Sequence, residues 1–268
     1  LIWVEPKLAR SQLKLHASQQ FPEGDVAHWF FCQQDGRSGF LCRSHAYDNL
    51  LWLGWGIAEY IRMTGDKTLL DEKVTYLKAE TPLPGLPEGK HGMGFYPLRS
   101  PKGDTIFEHV LKAFDCVFEK RLGANGLPLI GAGDWNDGLD EIGSEGRGES
   151  VWLAFFLTYI LKNFLHVIEE RSGKGRRDKY ENRMKRLEGN IEKVWRGDRY
   201  LRAIHDDGTE IGIEDAGYWE TDALGAAWAV YANVNPERSR IAVDTALRVL
   251  ERKNVISLGF PPLREDTK

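Results

Sequence analysis

The densest run of chemistry-bearing residues is Gly133-Asp134-Trp135-Asn136-Asp137-Gly138, preceded by Leu127-Pro128-Leu129-Ile130-Gly131 and followed by Asp140 and Glu141. Two carboxylates flank an indole in a glycine-rich loop. A carboxylic acid held against an aromatic wall is desolvated. Its pKa rises and it donates a proton near neutral pH, while the ring offers an apolar face to a sugar. The same residue types also suit a plain turn. A calcium loop is a poorer fit: starting at Asp134, it needs its glycine one place later than Gly138.

A second cluster runs from Arg37 through Ser38-Gly39-Phe40-Leu41-Cys42-Arg43-Ser44-His45-Ala46-Tyr47-Asp48 to Asn49. It sets Arg43 and Asp48 at a loop-to-helix junction. Such a pair grips adjacent hydroxyls of one sugar, Arg as donor and Asp as acceptor. The alternative is a structural ion pair in which Asp48 is a charge at a helix N-terminus. His45 reads as a capping or packing residue. A third stretch, Phe21-Pro22-Glu23-Gly24-Asp25-Val26-Ala27-His28-Trp29, either lines the same cleft or forms an exposed turn, and each residue taken singly reads as the turn.

Helices must position these loops. In 104–121, Ile106, Phe107, Val110, Leu111, Phe114, Val117 and Phe118 share one stripe, with Asp104 as the expected N-cap and Gly123 past the end. The segment 48–64 is apolar nearly all round and predicts a buried helix. Further helices are expected over 150–170, 176–195, 219–233 and 236–252, the last capped by Asn235 with Pro236 in its first turn. A short hairpin is expected from Tyr200–His205 and Glu210–Ile213 around Asp207-Gly208. Residues 66–103 and 122–148 read as long Gly/Pro-rich loops, a length usually reserved for function. Short links elsewhere suit stacked helical hairpins.

A composition of 42% hydrophobic and 28% charged residues is that of a folded chain rather than a disordered one. A net charge of -4 gives no electrostatic reason for a nucleic-acid or anionic-membrane partner. No apolar run reaches the length needed to cross a bilayer. The three cysteines, Cys32, Cys42 and Cys116, form no pair and no zinc pattern, so reduced thiols and a cytoplasmic location are expected. The nine Trp, nine Tyr and twelve Phe suit a sugar cleft, although Trp52, Trp152 and Trp228 sit on apolar helix faces and read as core.

HASQQFPEGDVAHW (16–29), GRSGFLCRSHAYDNLLW (36–52), GLPLIGAGDWNDGLDEIG (126–143) and GRGESVWLAFFL (146–157) follow glycoside hydrolase family 94 in order, and the similarity continues to LGFPPLRED (258–266). The chain therefore resembles the inverting phosphorylases of cellobiose, cellodextrin, chitobiose and β-1,2-oligoglucan, and the phosphorylase-like part of cyclic β-1,2-glucan synthases. GDWNDG looks closer to the β-1,2-glucan branch.

The resemblance implies an all-α (α/α)6 toroid, about two-thirds complete and carrying one short β-hairpin. Residues 1–268 would then form a single catalytic domain lacking the last helices of the barrel. It makes Asp137 the general acid, has Trp135 line the sugar site, and has Arg43 and Asp48 hold the glucosyl unit. Ser44 stands where cellobiose phosphorylases carry a further Asp. Inverting hydrolases pair an acid with a base that activates water. A phosphorylase uses inorganic phosphate as co-substrate and nucleophile. Asp137 protonates the glycosidic oxygen and α-glucose 1-phosphate leaves, with no metal or organic cofactor. The family's phosphate-binding His and Thr and a further active-site Glu have no counterpart in these residues. The expected partners are thus an oligosaccharide, phosphate, and the remainder of the barrel from a parent chain, another chain or self-association. The alternatives are an inverting hydrolase on the same toroid, with Glu149 or Asp134 as base, and a catalytically incomplete carbohydrate-binding fragment.

Overall fold

A computed structural model describes residues 1–32, 38–79 and 92–262. Arg37, residues 80–91 of the expected first long loop, and the end of the LGFPPLRED segment lie outside the described residues. The chain divides into two compact units, Leu1–Arg121 with Ala132–Asp140, and Leu122–Gly131 with Glu141–Lys268.

The first unit holds α1 (Pro6–Ala17), β1 (Trp29–Cys32), β2 (Ser38–Arg43), α2 (Asn49–Thr64), β3 (Lys73–Lys78), β4 (Met93–Phe95), β5 (Leu98–Thr105) and α3 (Ile106–Lys120). Helix α1 packs on α2 and α3. Helix α2 is buried along most of its length and stops at Gly65, whose φ of 70° continues no helix. Helix α3 follows the expected stripe, with Ile106, Val110, Leu111 and Phe114 fully buried. Its cap is corrected by one place: the Thr105 hydroxyl accepts from the Glu108 N–H at 3.3 Å. Asp104 belongs to β5 and accepts instead from the Tyr76 hydroxyl at 2.9 Å.

Much of the expected long loop 66–103 is β-structure. Strands β3 and β5 pair antiparallel, and β1, β2 and β4 form a second antiparallel sheet in that order. The register places Phe30, Leu41 and Phe95 across from one another. That face packs on a core of Phe21, Ala27 and Leu77.

The second unit holds β6 (Glu149–Ser150), α4 (Val151–Ser172), α5 (Lys174–Lys193), β7 (Ala203–Ile204), β8 (Glu210–Ile211), β9 (Thr221–Asp222), α6 (Ala223–Ala232), α7 (Pro236–Leu250), β10 (Glu251–Arg252), β11 (Val255–Ile256) and β12 (Gly259–Phe260). Helix α4 packs on α5 and α6, and α6 on α7. The links between α4 and α5 and between α6 and α7 are short, as expected for helical hairpins. Asn235 caps α7 by accepting from the Arg238 N–H at 3.1 Å. The expected hairpin is present as β7–β8, shorter than the sequence indicated, and β6 extends it to three strands.

Two expectations are corrected. The fold is mainly helical but carries several small antiparallel sheets rather than one hairpin. By length and composition α4 is apolar enough to cross a bilayer, because Lys162 is its lone Lys, Arg, Asp or Glu before the Glu169-Glu170-Arg171 end. Inside this unit it is a core helix, with Trp152, Phe155, Phe156 and Phe164 all at most 1% exposed.

Candidate active site

The first unit holds the GDWNDG loop with the third stretch and the described part of the second cluster, while Leu127–Gly131 and Glu141 belong to the second unit. Strand β2 ends at Arg43, and the turn Ser44–Asp48 leads into α2. The Arg43 side chain is fully buried. Its Nε donates to Asp25 Oδ2 at 2.7 Å and its Nη2 to Oδ1 at 2.8 Å, and Glu23 stands at 3.5 Å. The guanidinium also lies 3.9 Å over the ring of Phe21. A buried guanidinium is tolerable only with such pairing. The stretch read as an exposed turn is corrected in part: Phe21 and Asp25 are 0% and 2% exposed, while Pro22, His28 and Trp29 are exposed.

Asp48 is 7% exposed, and its Oδ2 accepts from the Trp52 indole N–H at 2.9 Å, one helical turn on. His45 is buried with its Nδ1 2.9 Å from the Tyr47 hydroxyl, and Arg121 lies 4.5 Å over the Tyr47 ring. His28 and Ser44 are joined across the strands at 2.6 Å.

The GDWNDG loop is pinned beside this turn by its backbone. The Ala132 N–H donates to the His45 carbonyl at 3.1 Å. Gly133 takes φ of +111°, a conformation a side chain opposes. Asp134, 2% exposed, accepts the Asn136 N–H at 3.1 Å, and Asn136 in turn caps the short 3-10 turn Asp137–Leu139 by accepting from the Gly138 N–H at 3.1 Å. This geometry turns Trp135 outward, 48% exposed. The backbone of Asp137 lies at the start of the 3-10 turn, while its side chain is outside the described part of the structure.

Arg43, Asp48, Trp135 and the Asp137 backbone thus lie in the same unit, and the Ala132–His45 bond links the two segments that carry them. Trp135 presents an indole face able to pack on a pyranose. Arg43 presents no side-chain atom to solvent, so a sugar hydroxyl reaches it only if the turn opens. A cavity of about 400 Å³ lies between α1, α2 and β1 and is lined by His16, His28, Trp52 and Trp55, among others, but by none of those four residues. Among the described residues, no group of three or more His, Cys, Asp or Glu side chains stands ready for a metal ion.

Glu149, in the second unit, is 1% exposed. Its carboxylate accepts from the Asn125 N–H, the Asn125 amide at 2.5 Å and the Leu127 N–H at 3.1 Å. Asp206 does the same for the GRGES segment, accepting the N–H groups of Glu145, Arg147 and Gly148 at 2.7, 2.7 and 2.8 Å. Nothing in the local sequence flags Asp206, and Asp25 stands out only as part of the third stretch, because their partners lie 58–61 and 18 residues away.

The profile of the glycosyl hydrolase 94 superfamily catalytic domain matches residues 91–268. The cyclic β-(1,2)-glucan synthase NdvB of Rhizobium meliloti (strain 1021) is 36% identical over 98% of this chain. The chain belongs to the glycosyl hydrolase 94 superfamily. Solabiose phosphorylase of Paenibacillus borealis is 27% identical over 85% of the chain, and N,N'-diacetylchitobiose phosphorylase of Vibrio furnissii is 27% identical over 80%. The chain spans 9% of the length of the synthase and 26% of solabiose phosphorylase. Crystalline D-mannose isomerase shares the fold at a TM-score of 0.50 and 10% identity, over 93% of this chain and 51% of that one. Of the relatives above, one is a glucan synthase and two are phosphorylases.

Proposed function

We propose that this glycosyl hydrolase 94 chain supplies the acid and the donor subsite for inverting phosphorolysis of a β-linked gluco-oligosaccharide. The observation that carries the reading is the Ala132–His45 backbone bond, which holds the GDWNDG loop against the Arg43–Asp48 turn. In this reading Asp137 protonates the glycosidic oxygen. Inorganic phosphate attacks C1 from the opposite face, the C1–O bond breaks, and α-glucose 1-phosphate forms. Phosphate is already anionic, so no protein base is needed. Trp135 packs on the glucosyl ring and Asp48 accepts from its hydroxyls. Arg43, sealed against Asp25, holds the strand end that carries the turn and meets the sugar only when the turn opens.

The phosphate site is supplied by the remainder of the barrel, from a longer polypeptide or a second chain. The helical hairpins of the second unit support reading both units as parts of one (α/α)6 catalytic domain. The hydrolase alternative is disfavoured by Glu149, whose oxygens hold the Asn125–Leu127 backbone, and by Asp134, which is buried on the Asn136 N–H. Release of glucose 1-phosphate from β-linked oligosaccharides, with and without phosphate, tests the reading. Turnover that ignores phosphate and yields free glucose would replace it with hydrolysis.

A further inference from the structure

Residues 122–131 belong to the second unit, so the chain leaves the first unit after Arg121 and re-enters it at Ala132. One short turn holds both crossing points. At the exit, the Arg121 guanidinium lies 4.5 Å over the ring of Tyr47. At the return, the Ala132 N–H donates to the His45 carbonyl at 3.1 Å. The two grips are joined to each other: the Tyr47 hydroxyl and His45 Nδ1 are 2.9 Å apart, with the rings edge to face at 80°. Tyr47 and His45 are both buried, so the bond between them is sheltered from competing water. The Arg121 Nε is also buried, yet it meets no acceptor among the described residues. The Tyr47 ring and the Cys116 thiol therefore place this guanidinium. That contrasts with Arg43, which two carboxylate oxygens hold.

The geometry points to Tyr47 and Arg121 as positioning residues for the acid loop: the Arg121–Tyr47–His45 chain sets where the backbone re-enters the first unit, and so where Asp137 is delivered. Asp134 and Asn136 shape the loop from within, by accepting the Asn136 and Gly138 N–H groups. The Ala132 bond instead orients the loop against a neighbouring element. Gly133 follows at once with φ of +111°, a conformation that side chains oppose, so the loop turns sharply at its anchor. A small shift of the His45 carbonyl then carries to Asp137 five residues on. Proton transfer needs its donor within hydrogen-bond reach of the leaving oxygen, and a misplacement of about 1 Å can cost roughly 10²-fold in rate. The catalytic half of this inference rests on the reading of Asp137 as proton donor. The structural half, that these contacts hold the loop, does not.

The test has two readouts. The first is amide exchange by mass spectrometry on the 268-residue chain, which needs no substrate. Tyr47→Phe keeps the ring beneath Arg121 and removes the bond to His45. It should speed exchange in 132–140 roughly tenfold while leaving α3 as protected as before. Arg121→Ala should do the same, and Arg121→Lys, which keeps a cation for the ring, should restore part of the protection. The second readout is phosphorolysis by the polypeptide or assembly that completes the phosphate site. There Tyr47→Phe should lower kcat about tenfold and leave KM for the oligosaccharide within about twofold, the pattern of a lost transition-state alignment. Unchanged loop exchange in both Tyr47→Phe and Arg121→Ala would overturn the proposal. So would a raised KM with kcat intact, which marks a sugar contact, or a lower melting temperature with kcat intact, which marks a merely structural turn. If the parent protein forms no glucose 1-phosphate, the phosphorolysis reading fails, and the exchange rates still decide whether these contacts hold the loop.

Discussion

Asp25 grips Arg43 at two points, 2.7 and 2.8 Å, with both side chains sealed from solvent. The clamp fixes the end of β2 from which the turn to Asp48 departs. Removing one partner of a buried pair strands a charge, which typically costs about 3–5 kcal/mol. Asp25→Ala should therefore lose stability on that scale in chemical denaturation, and Asp25→Asn, which keeps one acceptor, should lose less. A loss below about 1 kcal/mol, the scale of an exposed ion pair, would show that the clamp is not holding the turn.

How much of this was legible depended on sequence distance. The apolar stripe of α3 and the all-round apolar character of α2 and α4 are local patterns, and they gave helices within a few residues of their observed ends. Helix α1 has almost no stripe: only Ala9 and Ala17 are buried, so periodicity had nothing to register. The strand β3 does show buried Val74, Tyr76 and Leu77, but six residues among glycines and prolines read as loop. The three motif clusters were legible as candidates. Their union was not, because it rests on the Ala132–His45 and Arg43–Asp25 bonds, which join residues 87 and 18 positions apart.

Glu149 separates phosphorolysis from hydrolysis. As a purely structural acceptor, its loss in Glu149→Ala leaves the buried Leu127 N–H orphaned, at about 1–3 kcal/mol for an unmet buried group, and releases the more exposed Asn125 N–H. The expected outcome is a lower melting temperature with unchanged turnover per folded molecule. A base that activates water would show the opposite, an intact melting curve and lost turnover.

Trp135 is half exposed, so Trp135→Ala should change stability by no more than about 0.5 kcal/mol. As the floor of the donor subsite it should nevertheless reduce kcat/KM with every acceptor. Asp48→Ala should reduce activity likewise and also release the Trp52 indole N–H. Full activity of Trp135→Ala would remove the indole from the sugar site.

His109 is fully buried and stacks 4.3 Å from Tyr76, with Nε2 3.2 Å from the Val74 carbonyl. Burial holds its pKa below the ordinary 6.5. The unfolded chain then takes up a proton at a pH where the folded one does not. This group's contribution is complete above about pH 6.5 and falls as the pH drops toward the folded value. The melting temperature should decline below pH 6.5, and His109→Phe should flatten that decline. His16, lowered by burial as well, accounts for a residual slope. An identical pH profile in His109→Phe would refute the assignment.

The central claim is that Asp137 is the proton donor of a phosphate-dependent cleavage. Its most direct measurement is the rate of glucose 1-phosphate formation by Asp137→Asn, made in the polypeptide or assembly that completes the phosphate site. General-acid catalysis is worth roughly 10²–10⁴-fold, so the variant should lose at least that much turnover while melting like the parent protein. An Asp137→Asn protein that keeps more than about a tenth of the parent's phosphate-dependent rate would contradict the account.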